Sequence, residues 1–125
     1  MGEGELLHRE LSFAVIGCAQ RVHRTLGPGF PESVYHNALC VEFQRTGIAF
    51  ESEASASVEY ETVCCGEFRM DIVVDNRIIL ELKALDRLAA AHPAQLLSYL
   101  KATALHVGIL LNFGTERLEV KRVVL

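Results

Sequence analysis

The sequence predicts one α+β domain, a central mixed sheet flanked by helices, with its elements in the order ααβββαββ. Three observations lead there. The chain has 125 residues, half of them hydrophobic, with no low-complexity tract and no internal repeat; this suits a single ordered domain over residues 1–125 with its own core. Apolar residues recur at helical spacing up to about residue 47 and then at a period of two. A later helical stretch separates the third strand from the fourth, which gives the length that a crossover between neighbouring strands needs.

Taken in order, residues 5–25 repeat Leu7, Leu11, Val15, Cys18 and Val22, the stripe of an amphipathic helix. Gly27-Pro28-Gly29 stops it. A second helix is expected from near Pro31, with Pro31 at its first position, through Val34, Ala38 and Val41 to Gly47. Ile48, Phe50, Ala54, Ala56, Val58 and Tyr60 then alternate with polar residues, a half-buried strand. The second strand, residues 63–74, places Phe68, Met70, Ile72 and Val74 on one face and Glu67, Arg69, Asp71 and Val73 on the other. Asp75-Asn76 reads as a tight turn into a third strand, residues 77–83. A helix from Pro93 to about Ala104 uses Leu96, Leu97 and Leu100, and Val107–Phe113 reads as a buried strand. Leu118–Leu125 reads as an edge strand, because Lys121 and Arg122 interrupt it.

Charge and cysteines narrow the function classes. The net charge of −4 argues against nucleic-acid binding through a broad basic surface. It leaves room for an enzyme whose acidic site is offset by a divalent metal. Cys18, Cys40, Cys64 and Cys65 make no C-x-x-C pair; zinc is not expected, and the cysteines read as reduced, apolar residues of a cytoplasmic protein. The N-terminal stretch MGEGELLHRE lacks a signal-peptide pattern, and Leu6 stands where myristoylation wants Ser or Thr. No apolar run reaches the roughly 18 residues of a membrane span, so no membrane contact is expected.

The chemistry concentrates in the third strand. Side chains alternate there, so Glu81 and Lys83 project from one face while Leu80 and Leu82 point the other way. Asp71 stands on the preceding strand. Two carboxylates on adjacent strands suit Mg²⁺, which takes a few carboxylates plus waters and phosphate oxygens. Such an ion makes a bound water more acidic and stabilises phosphoryl charge; a lysine beside it orients the water or neutralises the transition state. The same Glu and Lys also read as a solvated ion pair. Register is the crux: a two-residue Asp75-Asn76 turn would pair Asp71 with Leu80 and face it away from Glu81, so a metal site requires a loop longer by one or a bulge.

The following helix brings His92 as its cap, with Gln95 and Tyr99 on the same face. This is the polar side of an amphipathic helix, or a row that positions a phosphate or base. Glu32, in the first turn of the second helix, complements the helix dipole or supplies a third carboxylate.

These blocks resemble a known family. "GPGFPESVY" carries the G-x-x-E-x-x-Y signature of the GxxExxY proteins at Gly29, Glu32 and Tyr35, and "GEFRMDIVVDNRIILELKAL", "AQLLSYL" and "VGILLNFG" resemble that family's other blocks in the same order, over about residues 8–125. The GxxExxY proteins resemble the PD-(D/E)XK nuclease superfamily, which implies a restriction-endonuclease-like core. The resemblance implies Asp71, Glu81 and Lys83 as the catalytic set, with Asp71, Glu81 and Glu32 toward the metal. Gln95-x-x-x-Tyr99 is similar to the Gln-x-x-x-Tyr motif of RecB-type exonucleases. There are departures: no Pro precedes Asp71, Glu61-Thr62 stands where a Gly-bearing hairpin is expected, and Cys64-Cys65 is idiosyncratic.

The expected function is a Mg²⁺-dependent deoxyribonuclease, with Mn²⁺ as a substitute and an exonuclease-like action. Gln95, Tyr99, Arg69 and His92 would position the DNA. A homodimer would give so small a domain a second subunit to frame its substrate. The alternative is an inactive nuclease-fold module that serves as a dimerisation or partner domain in DNA processing.

Overall fold

The computed structural model describes residues 7–125; the expected helix start at residue 5 and the N-terminal acidic stretch lie outside the described residues. Helix α1 (Arg9–Leu26) buries Val15, Cys18, Ala19 and Val22, the face that its spacing predicts. Gly27 and Gly29 follow with φ of 68° and 115°, conformations that a β-carbon would strain. Helix α2 (Glu32–Thr46) buries Tyr35, Leu39 and Phe43. This corrects the expected Val34-Ala38-Val41 face, since Val41 is 49% exposed. The two rings and Leu39 remove more apolar surface from water than Val34, Ala38 and Val41 would. Pro31 stands just before the helix in extended conformation, one position earlier than expected.

Strands β1 (Phe50–Tyr60), β2 (Val63–Val74) and β3 (Ile78–Lys83) precede helix α3 (Ala91–Thr103), which leads to β4 (Val107–Asn112) and β5 (Glu119–Val124). They form one five-stranded sheet in the order β1-β2-β3-β4-β5. β3 and β4 are parallel through the α3 crossover; the other neighbours are antiparallel. β5 is an edge strand, as its charges predicted.

Each face of the sheet has its own core. α1 and α2 cover Ile72, Val74, Ile78, Leu80, Leu82, Ile109 and Leu111. α3 covers Val73, Ile79 and Leu110 with Leu96 and Leu100. β3 and β4 are thus enclosed on both sides, which is why they read as continuous apolar runs. Gly108 permits the closeness of α3: a β-carbon there would stand 2.7 Å from the Leu96 side chain.

The expected alternation of β2 breaks at Asp71. Phe68 and Met70 pack with Ala54 and Ala56 on the α3 side, whereas Ile72 and Val74 face α1 and α2. Opposite Asp71, Glu53 adopts a left-handed φ of 54°. The register runs Ser52↔Ile72 and then Ala54↔Met70, with the Glu53–Asp71 step missing. The ladder is interrupted at this step, and in both strands residues of one parity lie on different faces on its two sides.

The turn into β3 also differs from expectation. Three residues, Asp75, Asn76 and Arg77, form the loop, and β3 begins at Ile78. Asp75 and Asn76 have φ of 49° and 54°. The Arg77 N–H donates to the Val74 carbonyl at 2.9 Å, and Arg77 pairs with Asp75 at 3.3 Å. The register becomes Val74↔Ile78, Val73↔Ile79, Ile72↔Leu80. One step further sets Asp71 across from Glu81, which is the arrangement that the longer loop allows and a two-residue turn forbids.

Candidate active site

The β2–β3 ladder stops at Ile72↔Leu80, and at the next step side chains replace ladder bonds. Asp71 Oδ2 accepts the Leu82 N–H at 2.7 Å. The Asp71 backbone N–H dipole favours the charged form of the Glu81 carboxylate. The Asp71 carboxylate therefore satisfies a backbone donor of the neighbouring strand and is fixed by the fold itself.

Glu81 is only 6% exposed, and its Oε1 is buried without a hydrogen-bond partner among the described residues. Burial pushes its carboxyl up to about 8, Asp71 and the more distant Glu32 add to the rise, and Lys83 opposes it. A carboxylate seldom stays in such a place without a compensating positive charge. Glu32, at the start of α2, is likewise raised, first by desolvation and then by Asp71, while Lys83 and His36 pull it down. Lys83 ends β3, half-buried, and its carbonyl accepts the Phe113 N–H at 2.8 Å.

Tyr35, the last residue of the G-x-x-E-x-x-Y stretch, is a structural anchor. Its ring stacks on Phe113 with centroids 4.7 Å apart. Its hydroxyl donates to the Gly27 carbonyl at 2.5 Å and accepts the Phe30 N–H at 3.2 Å. The loop that delivers Glu32 is thereby held one helical turn from its anchor.

From α3, Tyr99 belongs to the same electrostatic environment. Desolvation raises its hydroxyl, and Glu81 and Asp71 raise it further; its ring stacks on Phe68 at 4.1 Å. Gln95 lies exposed one turn earlier. The expected cap role of His92 is corrected: the helix begins at Ala91 with Ala90 before it, so Pro93 is not its first residue. His92 lies inside the first turn, where its Nδ1 accepts the Ala89 N–H at 3.0 Å. Proline tolerates this turn because its missing N–H has no partner there. Arg69 is exposed beyond the break in β2, opposite Ser55.

Asn112 is the residue that sequence reasoning passed over. It is fully buried beside Lys83 in the β3–β4 register. Its Oδ1 accepts the N–H groups of Leu85 (2.9 Å) and Gly114 (3.1 Å), and its Nδ2 donates to the Leu85 carbonyl (2.9 Å) and Glu119 (2.7 Å). This side chain clamps the segment leaving Lys83 to the start of β5. Its only sequence signal is a polar residue closing the apolar run of β4.

Among the described residues no three His, Cys, Asp or Glu side chains converge into a ready-made metal cage, so Glu32 stands within electrostatic reach of the Asp71–Glu81 pair without completing a three-carboxylate cluster. The pair itself fits a hard divalent cation of the Mg²⁺ type, which binds through one or two carboxylates and keeps its waters. The unsatisfied Glu81 Oε1 is the oxygen that such an ion would engage.

A family model described as the PD-(D/E)XK nuclease superfamily matches residues 9–123. The crystal structure of SSO0001 superposes with a TM-score of 0.58 at 20% sequence identity, over 74% of this chain and 50% of that one. This chain thus spans half the length of that protein, and the likeness is one of fold. No curated protein matches the sequence.

Proposed function

The chain belongs to the PD-(D/E)XK nuclease superfamily, whose members are generally metal-using nucleases, and from that premise we propose that it is a cytoplasmic nuclease of the GxxExxY branch that hydrolyses DNA phosphodiester bonds. The observation that carries this reading is the Asp71 carboxylate bonded to the Leu82 N–H beside a buried Glu81 with one carboxylate oxygen left unsatisfied.

Asp71 and Glu81 would hold Mg²⁺, or Mn²⁺ in its place, and Glu32 would reach the ion through water. The ion when bound supplies a more acidic water and stabilisation of phosphoryl charge. Lys83, on the same face of β3 as Glu81, orients the attacking water and neutralises charge that develops on the phosphoryl oxygens. The Leu82 N–H fixes the Asp71 carboxylate, so its position costs no reorganisation during reaction. Tyr99, held by its stack on Phe68, presents its hydroxyl to the substrate with Gln95 one turn away. His92 keeps Nε2 for a contact with DNA while Nδ1 holds the loop, and Arg69 contacts the strand along the β1–β2 ribbon.

The test is incubation of the pure protein with Mg²⁺ or Mn²⁺ and labelled single-stranded, double-stranded and branched DNA, beside Lys83→Ala. Metal-dependent cleavage that disappears in the variant is the expected result, and shortening from an end would support an exonuclease. A second reading has one observation in its favour: Tyr60 and Val63, at the tip of the β1–β2 ribbon, are 70% and 61% exposed, a surface suited to a partner or a second copy. Absence of both cleavage and calorimetric metal binding would favour that reading of an inactive module.

A further inference from the structure

A cavity of about 600 Å³ opens between the last turns of α1 and the loop joining β4 to β5. Gln20, His23 and Arg24 line it from the helix, and Glu116 and Arg117 line it from the loop. It lies at the end of the sheet where β3 and β4 finish, the end that carries Lys83. β3 and β4 run parallel with Lys83 beside Asn112, so the chain leaving β4 starts level with Lys83. α1 leads through residues 27–31 directly to Glu32. The stacked rings of Tyr35 and Phe113 stiffen the segments between cavity and site. The His23 Nε2–Thr115 carbonyl bond at 2.9 Å ties one wall of the cavity to the other.

The lining has the chemistry of an oxyanion site. Among the described residues, ion pairs join Arg21 to Glu42 and Arg77 to Asp75; Arg24 and Arg117 take part in neither and are exposed. Two arginines from different segments line one concavity with Gln20, and Glu116 offsets only part of their charge. The carbonyl end of α1 accounts for a cation at Arg24, but it gives no reason for Arg117. A chain of net charge −4 that handles a polyanion needs a local positive surface beside its chemistry. We infer that this cleft binds a backbone phosphate of the DNA strand whose scissile bond lies at Asp71 and Glu81. The inference rests on the nuclease reading above and makes Arg24 and Arg117 binding residues, outside the reacting groups.

The experiment measures binding of a fluorescent, phosphorothioate-linked single strand in Mg²⁺ over a range of salt. The double variant Arg24→Gln/Arg117→Gln is compared with the charge-matched Arg45→Gln/Lys121→Gln, whose residues are exposed elsewhere. Loss of two phosphate contacts should lower the slope of log K against log salt by about 1.4 and weaken binding by about 25-fold at 0.1 M salt. The control should stay within about twofold of wild type. On cleavable DNA the cleft variant should raise KM and leave kcat near wild type. A cleft variant that matches the control in slope and affinity, while wild type cleaves and Lys83→Ala does not, overturns this inference alone. A wild type that neither binds nor cleaves DNA overturns it together with the nuclease reading.

Discussion

Asp71 ties its strand to the one that carries Glu81: its carboxylate accepts the Leu82 N–H at 2.7 Å, and the Asp71 backbone N–H favours the charged form of the Glu81 carboxylate. The two acids sit where the β2–β3 ladder ends, so the bond that closes the sheet there also aims the Asp71 carboxylate. Structure and chemistry therefore share these side chains, and substitutions there should report on both.

Glu81 sets a pH dependence in the metal-free protein. Its carboxyl rises from 4.5 to about 8 on folding, so the folded state holds a proton that the unfolded state releases. That contribution to stability is complete below about pH 4.5 and is lost as pH rises through about 8, at up to about 1.4 kcal/mol per pH unit. Thermal denaturation in EDTA should show Tm falling over this window, with Glu32 adding in the same direction. Glu81→Gln should flatten the fall, and saturating Mg²⁺ should reduce it in wild type.

Replacing Asp71 separates its charge from its hydrogen bond. Asp71→Asn keeps an oxygen for the Leu82 N–H and should fold normally. It should lower the Glu81 pKa, followed by carbon NMR of the carboxyl group, and abolish metal binding by calorimetry. Asp71→Ala also leaves the Leu82 N–H without its acceptor and should cost about 1–3 kcal/mol in urea denaturation.

Lys83→Ala should reduce single-turnover cleavage by about 10²–10³-fold at saturating metal. Because Lys83 pulls down the carboxyls of Glu81 and Glu32, both should titrate at higher pH in the variant. That shift distinguishes a loss of site electrostatics from misfolding, which near-ultraviolet circular dichroism would reveal.

Asn112→Ala should destabilise the protein by roughly 1–3 kcal/mol, since it strips partners from the part-buried Leu85 and Gly114 N–H groups. Asn112→Asp should fare no better, because its carboxylate would meet the Leu85 carbonyl and Glu119 that Nδ2 now serves. Urea midpoints test both, and cleavage should fall with them because the segment after Lys83 loosens.

Much of this was legible in the sequence. Alternation in a run as apolar as Ile78–Leu82 put Glu81 and Lys83 together on one face, and the element order gave the sheet its crossover. The break at Asp71 was hidden because Met70 and Ile72 have the same parity; their faces part where the β1–β2 register skips Glu53 and Asp71. Asp75-Asn76 has the residue types of a two-residue turn, and nothing local says that Arg77 joins it. The buried face of α2 was misassigned because Tyr35 carries a hydroxyl, yet that hydroxyl is satisfied by Gly27 and Phe30, which lets the ring go inside. Asn112 was missed because its partners at Leu85 and Glu119 are joined only by tertiary structure.

The clamp at Asn112 bears on the order in which the protein assembles. Every side chain proposed for the chemistry has been synthesised once Tyr99 has been added. The segment after Lys83 is still untied then, since its clamp comes from Asn112 and the clamp's own partner from Glu119. Long-range pairings of this kind form late in folding. A growing chain would therefore carry its full set of reactive groups while remaining unable to use them, and competence would arrive with β5.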